Sequence, residues 1–188
     1  MSVITAPHPT LRKVTQVVTK VDKKLLQNVE LLQQSLLLEK DPEGVGLAFP
    51  QINKSIRAFA YRPDKEKKKA KAVQVFFNPV IVSHSHEKEI GRKPKKPDLE
   101  GCLSVPRLFG VVPRWSWIEL EYQLIEDSQL VTYKQQFEGY KARIVQHELD
   151  HLNGILFTDH ILREGSPIYL VVDEDLVLFD DRELLKTF

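Results

Sequence analysis

The sequence predicts a single α+β domain over residues 1–188, in which antiparallel or mixed β-sheets pack around a central helix and a second helix lies near the N-terminus. Helical apolar spacing over residues 21–40 and 140–153, together with alternating apolar and polar residues in several stretches between them, predicts this class. No internal repeat or long linker is visible, which favours one domain.

The N-terminal elements come first. Residues 1–20 carry two prolines and several β-branched residues, which indicates an extended arm. The first helix is expected to begin after a capping Asp22 and to end before Asp41-Pro42. Its apolar face comprises Val21, Leu25, Val29, Leu32 and Leu36. A loop is expected over residues 44–51, which contain two glycines and a proline.

The strands and the second helix follow. Strands are predicted over residues 56–61, 73–77, 80–86, 108–112, 118–123 and 129–137, with turns at Asn78-Pro79 and Asp127-Ser128. The second helix is predicted from Tyr140 to Asn153, and Gly154 stands where a left-handed cap would lie. The acidic tail over residues 165–188 is unassigned.

Composition and charge exclude several classes of protein. Lys and Arg number 27 against 26 Asp and Glu, and 42% of residues are hydrophobic, as in a globular protein rather than a disordered or membrane chain. One cysteine forbids an internal disulfide and favours a reducing compartment. We therefore expect a cytoplasmic protein that uses neither a membrane nor a specific nucleic acid.

The strongest chemical signal is His-Glu-Leu-Asp-His at residues 147–151. On a helix, His147 and His151 lie on one face and can bind one metal ion, with Glu148 beside them as a proton carrier. The alternative is a pair of unrelated surface histidines. Asp150 points elsewhere on the helix, either supporting the site or facing solvent.

Two other segments offer further groups. Cys102, the only cysteine, lies in Glu-Gly-Cys-Leu-Ser at residues 100–104 and is either a third metal ligand or a buried structural thiol. Gly-Val-Gly-Leu-Ala-Phe-Pro-Gln at residues 44–51 allows close backbone approach to a ligand, although for this segment by itself a simple helix-to-strand turn is the favoured interpretation. His84 and His86 alternate along a predicted strand. We interpret this stretch as a surface strand; the alternative is that the two histidines bind a second metal ion.

Taken together, the three segments at residues 44–51, 100–104 and 146–154 closely resemble the motifs of the peptide deformylases. The resemblance extends over residues 4–162 and includes Pro-Thr-Leu-Arg-Lys from Pro9 and Val-Pro-Arg at residues 112–114. A cysteine motif combined with His-Glu-x-x-His separates this family from ordinary zinc proteases.

The resemblance implies a metal-dependent hydrolase that removes the N-formyl group from the formylmethionine of new polypeptides and releases formate. Cys102, His147 and His151 would hold one divalent ion, ferrous iron physiologically, with zinc, nickel or cobalt also accepted. The central helix would then be the metal-binding one. Bacterial, organelle and phage versions of the enzyme all remain open.

The resemblance also implies roles for the catalytic residues. Water activated by the metal would attack the formyl carbon while Glu148 serves as general base and then general acid. The side chain of Gln51 and the backbone N–H of Leu103 would stabilise the oxyanion.

Substrate binding is expected near the same segments. The backbone around Val45 and Gly46 would align the substrate as an added strand. Ile144, with Tyr140 as a second candidate, would line an apolar pocket for methionine. Phe49 stands where the family usually has a small residue, so it either fills a core gap or crowds the substrate groove.

Two further residues are expected to support the metal-binding loop, and one segment is a candidate contact with the ribosome. Glu100 and Arg114 would pair beneath the Cys102 loop. Residues 62–71 hold six basic and two acidic side chains, whereas residues 173–188 hold six acidic and two basic ones. A solvated loop explains the basic segment, but if the protein docks on the ribosome this segment is a better candidate than the acidic tail.

Two other functions compete with deformylation. A zinc peptidase of the His-Glu-x-x-His type would need a further His or Glu ligand at the peptidase spacing, which is absent, and would leave Cys102 unused. A metal-binding or ribosome-associated protein without catalytic activity would release no formate.

Overall fold

The computed structural model describes residues 2–39, 44–62, 73–91 and 98–188. Its helices are α1 (Lys23–Leu38), α2 (Gly139–Leu152), α3 (Phe157–Glu164) and α4 (Arg182–Leu185). Its strands are β1 (Gly46–Ala48), β2 (Ala58–Tyr61), β3 (Gln74–His84), β4 (Lys88–Glu89), β5 (Leu99–Cys102), β6 (Val105–Val111), β7 (Arg114–Trp115), β8 (Trp117–Glu126), β9 (Gln129–Glu138), β10 (Ile168–Val172) and β11 (Asp175–Leu178). Short 3₁₀ helices cover Pro9–Arg12 and Phe49–Ile52.

The strands form two main sheets and a small ribbon. The first sheet has the order β1-β2-β3-β8-β9, the second has the order β11-β10-β6-β5, and β4 pairs with β7. Every pairing between these strands is antiparallel. The predicted α+β class with a central helix and a second N-terminal helix is confirmed.

The two longest helices pack on opposite faces of the five-stranded sheet. Phe59 and Phe76 belong to the cluster that buries one side of α2, whereas Ala60 and Phe77 belong to the cluster that buries α1. Neighbouring residues of a strand point to opposite faces. Because both faces are covered, all four residues of β2 are buried and apolar. This sandwich makes α2 a largely buried helix.

The ends of the two helices follow the predicted signals where they are described. Asp22 caps α1 by accepting a hydrogen bond from Leu25 N at 2.8 Å. Gly154 follows α2 with φ of 73°, the left-handed value that favours glycine. Asp41-Pro42, the predicted stop of α1, lies outside the described residues.

Residues 44–51 are not the loop that the sequence predicts. Gly46–Ala48 forms β1, paired with Phe59–Tyr61, and a 3₁₀ turn follows over Phe49–Ile52. A three-residue strand is too short to show a period, and only its partner strand identifies it. Phe49 is fully buried against the α1 side of the sheet, so it fills the core rather than the groove.

Asn78-Pro79 was predicted as a turn, but β3 continues through it. The register shifts between Phe77 and Val80, and Asn78 has φ of 50°, so the site is a bulge. The Asn78 side chain accepts from Val18 N at 2.8 Å and donates to Val18 O at 2.7 Å. The bulge therefore ties the N-terminal arm to the sheet.

The tail, unassigned from sequence, is part of the second sheet. β10 pairs with β6 and with β11, and α4 buries Leu185 completely. Leu185 joins a cluster that includes Leu11, Phe157 and Ile161. Among the described residues, no helix is both long and apolar enough to cross a membrane.

Candidate metal centre

Three side chains from distant parts of the sequence meet beside α2. Cys102 ends β5, whereas His147 and His151 lie one helical turn apart on α2. One donor atom from each residue lies within 4.8 Å of the others, and Cys102 Sγ is 3.2 Å from His151 Nε2. The convergence that the sequence predicts is therefore present in the fold.

This donor set suits one divalent transition-metal ion. A thiolate and two imidazoles are ligands that zinc and iron accept, and three protein ligands leave a position for water or substrate. His147 Nδ1 lies 2.7 Å from Glu100 Oε1, which leaves Nε2 of that ring for the ion. Nδ1 of His151 is buried and has no hydrogen-bond partner within the described parts of the chain.

The surroundings of Cys102 favour the deprotonated form of its thiol. Burial by itself would raise its pKa, but the neighbouring imidazoles of His151 and His147 outweigh burial and lower the pKa to about 5. The side chain is therefore a thiolate at neutral pH, which is the form that binds metal.

Glu148 lies in the same cavity, with only 3% of its surface exposed. Burial raises the pKa of its carboxyl to about 7, and Oε2 has no hydrogen-bond partner among the described residues. A carboxyl with a pKa near neutral is suited to take up and release a proton. Gly46 lies against this carboxylate, and a Cβ there would overlap it.

Gln51 is buried, and its orientation is fixed by its own 3₁₀ turn. Its Oε1 accepts a hydrogen bond from Ala48 N at 2.8 Å. Its Nε2 is thereby turned to the metal centre, 3.7 Å from Cys102 Sγ and 3.3 Å from Ser104 Oγ. The amide N–H groups of Gln51 are the part of this side chain that faces the centre. Leu103 directly follows Cys102 and lines the same cavity.

A cavity of about 440 Å³ contains the proposed substrate-binding residues. Gly46 on β1 and Val45, the residue before this strand, line the cavity. Ile144 and Tyr140 line it from α2. Ile144 is 4% exposed, whereas Tyr140 is 41% exposed and lies at the rim. Sequence reasoning did not identify the β6 side of the cavity, which includes Arg107, Leu108 and Phe109.

The β6 wall follows from strand register. Gly101 pairs with Phe109, and a Cβ on Gly101 would collide with the Phe109 ring. The glycine before Cys102 therefore lets an aromatic ring lie across β5. Only a prediction of the β5–β6 pairing could have revealed this wall.

A buried ion network supports the centre. Arg114 Nη2 and Nε donate to the Glu100 carboxylate at 2.6 and 3.1 Å, so the predicted ion pair is confirmed. Burial opposes ionisation of Glu100, but the charge of Arg114 and the contact with His147 hold its pKa well below the usual value. Asp150 faces this network and accepts from Arg114 Nη1 at 2.5 Å.

Sequence reasoning missed two members of the network. Arg143 donates to Glu100 at 3.2 Å and to Val112 O at 2.7 Å. His160 Nε2 lies 2.8 Å from Asp150 Oδ2. The position of Arg143, one turn before His147 on α2, could have indicated that it belongs to the network. No feature of the sequence indicated that His160 does.

The second pair of histidines forms no metal site with other residues. Within residues 2–39, 44–62, 73–91 and 98–188, the only cluster of potential metal-binding side chains is Cys102, His147 and His151. His84 is the last residue of β3 and stacks on Trp115. His86 is exposed and lies beyond the end of the strand.

Comparisons with known proteins agree with the sequence motifs. The sequence model of the polypeptide deformylase family matches residues 1–166. A peptide deformylase from Desulfotalea psychrophila is 37% identical over 162 residues, which cover 86% of this chain and 87% of that relative.

Two solved structures show the same likeness in three dimensions. A Plasmodium falciparum peptide deformylase has a TM-score of 0.72 at 33% identity and covers 85% of each chain. An Acinetobacter baumannii class I type b peptide deformylase bound to Met-Ala-Ser has a TM-score of 0.71 at 32% identity, covering 86% of this chain and 98% of that one.

Proposed function

The chain belongs to the polypeptide deformylase family, and from this premise we propose which of its residues carry out the reaction. It is a hydrolase that removes the N-formyl group from nascent polypeptides, and its cysteine and two histidines form the site for a single metal ion. The observation that carries the proposal is the meeting of Cys102, His147 and His151 beside the buried Glu148.

Cys102, His147 and His151 hold the ion, and Glu100 orients His147. When bound, a divalent ion lowers the pKa of an adjacent water and polarises a carbonyl oxygen. We propose ferrous iron as the physiological ion, with zinc, nickel or cobalt as substitutes, on the basis of the family motifs and the mixed sulfur and nitrogen donors. Metal analysis of protein purified without oxygen tests this choice.

Glu148 is the proton carrier. Its raised pKa and its lack of a hydrogen-bond partner for Oε2 among the described residues support this role. The carboxylate accepts a proton from the attacking water and delivers it to the departing amine, so the carboxylate is regenerated at the end of the cycle.

Gln51 and Leu103 stabilise the negative charge that develops on the formyl oxygen. The orientation of Gln51 Nε2 supports this role, because Ala48 N holds the amide oxygen away from the centre. Leu103 contributes its backbone N–H from the turn after Cys102. Donors arranged before the reaction stabilise the transition state without a reorganisation cost.

The substrate peptide extends along β1, where Val45 and Gly46 offer main-chain groups. Hydrogen bonds to the main chain do not depend on the side chains of the substrate, which suits substrates that share only their first residue. Ile144 forms the apolar wall for methionine, and Tyr140 lies at its entrance. Discrimination by such a wall is modest, about 1–3 kcal/mol per methylene, so other large apolar first residues are also accepted.

Formylated chains leave the ribosome in the cytoplasm, so we propose that the protein acts there and contacts the ribosomal surface. The basic segment over residues 62–71 is the candidate contact, with six cations against two carboxylates. Residues 63–71 of it lie outside the described residues. Co-sedimentation with ribosomes at increasing salt, with and without lysine-to-glutamine changes in this segment, tests the contact.

The decisive test is formate release from formyl-Met-Ala-Ser by the metal-loaded protein. We expect formate and free Met-Ala-Ser, with no cleavage inside the peptide. Glu148→Gln should retain the metal and lose at least about 10²-fold in kcat. Cys102→Ala should lose activity together with metal, whereas a peptidase that does not use the thiol would survive this change.

A further inference from the structure

A second cavity, of about 540 Å³, lies on the side of α2 away from the metal-binding histidines. Gln146, Leu149 and Asn153 face it from the helix. Neighbours on a helix are 100° apart, so these positions point away from His147 and His151. The volume falls within the usual range for small-molecule sites, about 300–1,000 Å³. The established activity does not use this cavity.

Positive charge dominates the cavity wall. Its lining includes the cations Arg57, Lys88, Arg114 and Arg163, whereas Asp150 is the only carboxylate among the described residues that line it. Asp150 is already paired with Arg114. Arg163 pairs with its neighbour Glu164, so Arg57 and Lys88 are the cations that leave an excess of positive charge at this surface.

Arg57 shows that this excess is not neutralised within the fold. Its guanidinium donates to Asn153 Oδ1 at 3.0 Å and to Pro79 O at 3.3 Å, both neutral acceptors. Within the described parts of the chain it has no ion pair, and partial burial lowers its pKa. A half-buried guanidinium without a carboxylate favours an anionic ligand, and phosphate matches its planar fork.

An aromatic platform stands beside these cations. The His84 ring stacks on the Trp115 ring with centroids 3.8 Å apart and planes inclined by 12°. Lys88 Nζ lies 5.5 Å from the centre of the Trp115 ring. His84 is exposed, so its outer face is open to a further planar ring, and nucleic-acid bases stack on histidine and tryptophan in this way.

We propose that this cavity binds a nucleotide unit, with the phosphate held by Arg57 and Lys88 and the base stacked on the His84–Trp115 pair. Leu149 and Ile81 supply an apolar floor beneath the ligand. A free mononucleotide and a nucleotide of single-stranded RNA present the same chemistry to these residues. The site is separate from the metal centre and independent of deformylation.

The test follows the indole N–H signal of Trp115 by NMR while AMP is titrated into the full-length protein. Trp117, which does not line the cavity, is the internal reference. We expect a saturable shift of Trp115 alone, with AMP binding about tenfold more tightly than adenosine or inorganic phosphate, because stacking and charge both contribute.

Variants then assign the contacts. Lys88→Gln and His84→Ala change exposed side chains and should each weaken AMP binding about fivefold or more. Lys134→Gln changes an exposed lysine on β9 that pairs with Glu119 and does not line the cavity; it is the matched control and should leave binding unchanged. Circular dichroism melting checks that each variant is folded.

The source of the nucleotide is decided by a parallel titration with a short single-stranded oligoadenylate. Binding at least about tenfold tighter than AMP identifies an RNA strand, because additional phosphates add contacts; equal binding identifies a free nucleotide. The proposal is wrong if Trp115 shows no saturable shift by about 10 mM AMP, if inorganic phosphate binds as well as AMP, or if neither Lys88→Gln nor His84→Ala weakens binding.

Discussion

At the scale of single residues, the centre depends on the space around Glu148. The carboxylate is buried, and Gly46 on β1 approaches it so closely that no side chain fits between them. The absence of a Cβ therefore sets the position of the Glu148 carboxylate as much as the helix does.

Gly46→Ala should lower kcat about 10²-fold, because a misplacement of about 1 Å at a reacting group has an effect of that order. The added methyl displaces the flexible end of Glu148 rather than backbone, so the free energy of unfolding should change little. Steady-state kinetics with formyl-Met-Ala-Ser and urea unfolding measure the two quantities.

Gly165→Ala is the control for this glycine change. It has open space but φ of 65°, so it should cost about 1 kcal/mol in unfolding free energy and leave kcat unchanged. Equal kcat in Gly46→Ala and the parent protein would contradict the role given to this contact.

Gln51→Ala should lower kcat about 10²–10³-fold while KM changes far less, because the lost donor acts mainly on the transition state. Metal content should stay at one ion per chain, which separates this effect from damage to the Cys102 loop. Gln34→Ala, on the exposed face of α1, serves as the neutral comparison. An unchanged kcat would remove Gln51 from the oxyanion site.

At the scale of elements, α2 is held to β5 and β7 by charge as well as by packing. Glu100 on β5 pairs with Arg114 on β7 and Arg143 on α2, and it also contacts His147. One carboxylate thus fixes two strands and the metal helix relative to one another. Buried pairs of this kind are most costly when one partner is removed.

Glu100→Gln should lower the free energy of unfolding by about 3–5 kcal/mol, because the buried Arg143 loses its carboxylate partner and Arg114 keeps only Asp150. Urea denaturation measures the loss. Glu119→Gln removes the partner of exposed Lys134 and should cost no more than about 0.5 kcal/mol. Similar losses in the two variants would show that burial does not strengthen the Glu100 network.

At the scale of the whole molecule, the metal centre lies between the four-stranded sheet and α2. The four-stranded sheet supplies Cys102, whereas the helix packed on the five-stranded sheet supplies both histidines. The tail closes the second sheet: α4 packs against α3, and Arg12 donates to Phe188 O at 2.9 Å. Removal of the tail therefore tests folding before it tests any docking on the ribosome.

Leu185→Ala should lower the free energy of unfolding by about 2–5 kcal/mol, because it opens a cavity among fully buried apolar side chains. Leu184→Ala is the matched control, since its side chain is 44% exposed and should cost less than about 1 kcal/mol. Chemical denaturation compares the pair. If the two variants have equal free energies of unfolding, the side chain of Leu185 does not contribute to the hydrophobic core of this domain.

The sequence by itself determined the features that repeat locally or depend on particular chemical groups. The apolar period and Asp22 predicted α1, the glycine after Asn153 predicted the end of α2, and Asp127-Ser128 predicted the turn between β8 and β9. Residue types and spacing also offered Cys102, His147 and His151 as candidate metal ligands, and the resemblance to the peptide deformylases implied that the three act together.

Only the tertiary structure decided the rest. β1 is too short to show a period and exists because β2 pairs with it, while the tail forms strands because β6 offers an edge. Arg143 and His160 joined the buried network through contacts between residues far apart in the chain. Register and burial depend on partners distant in sequence, so no local pattern encodes them.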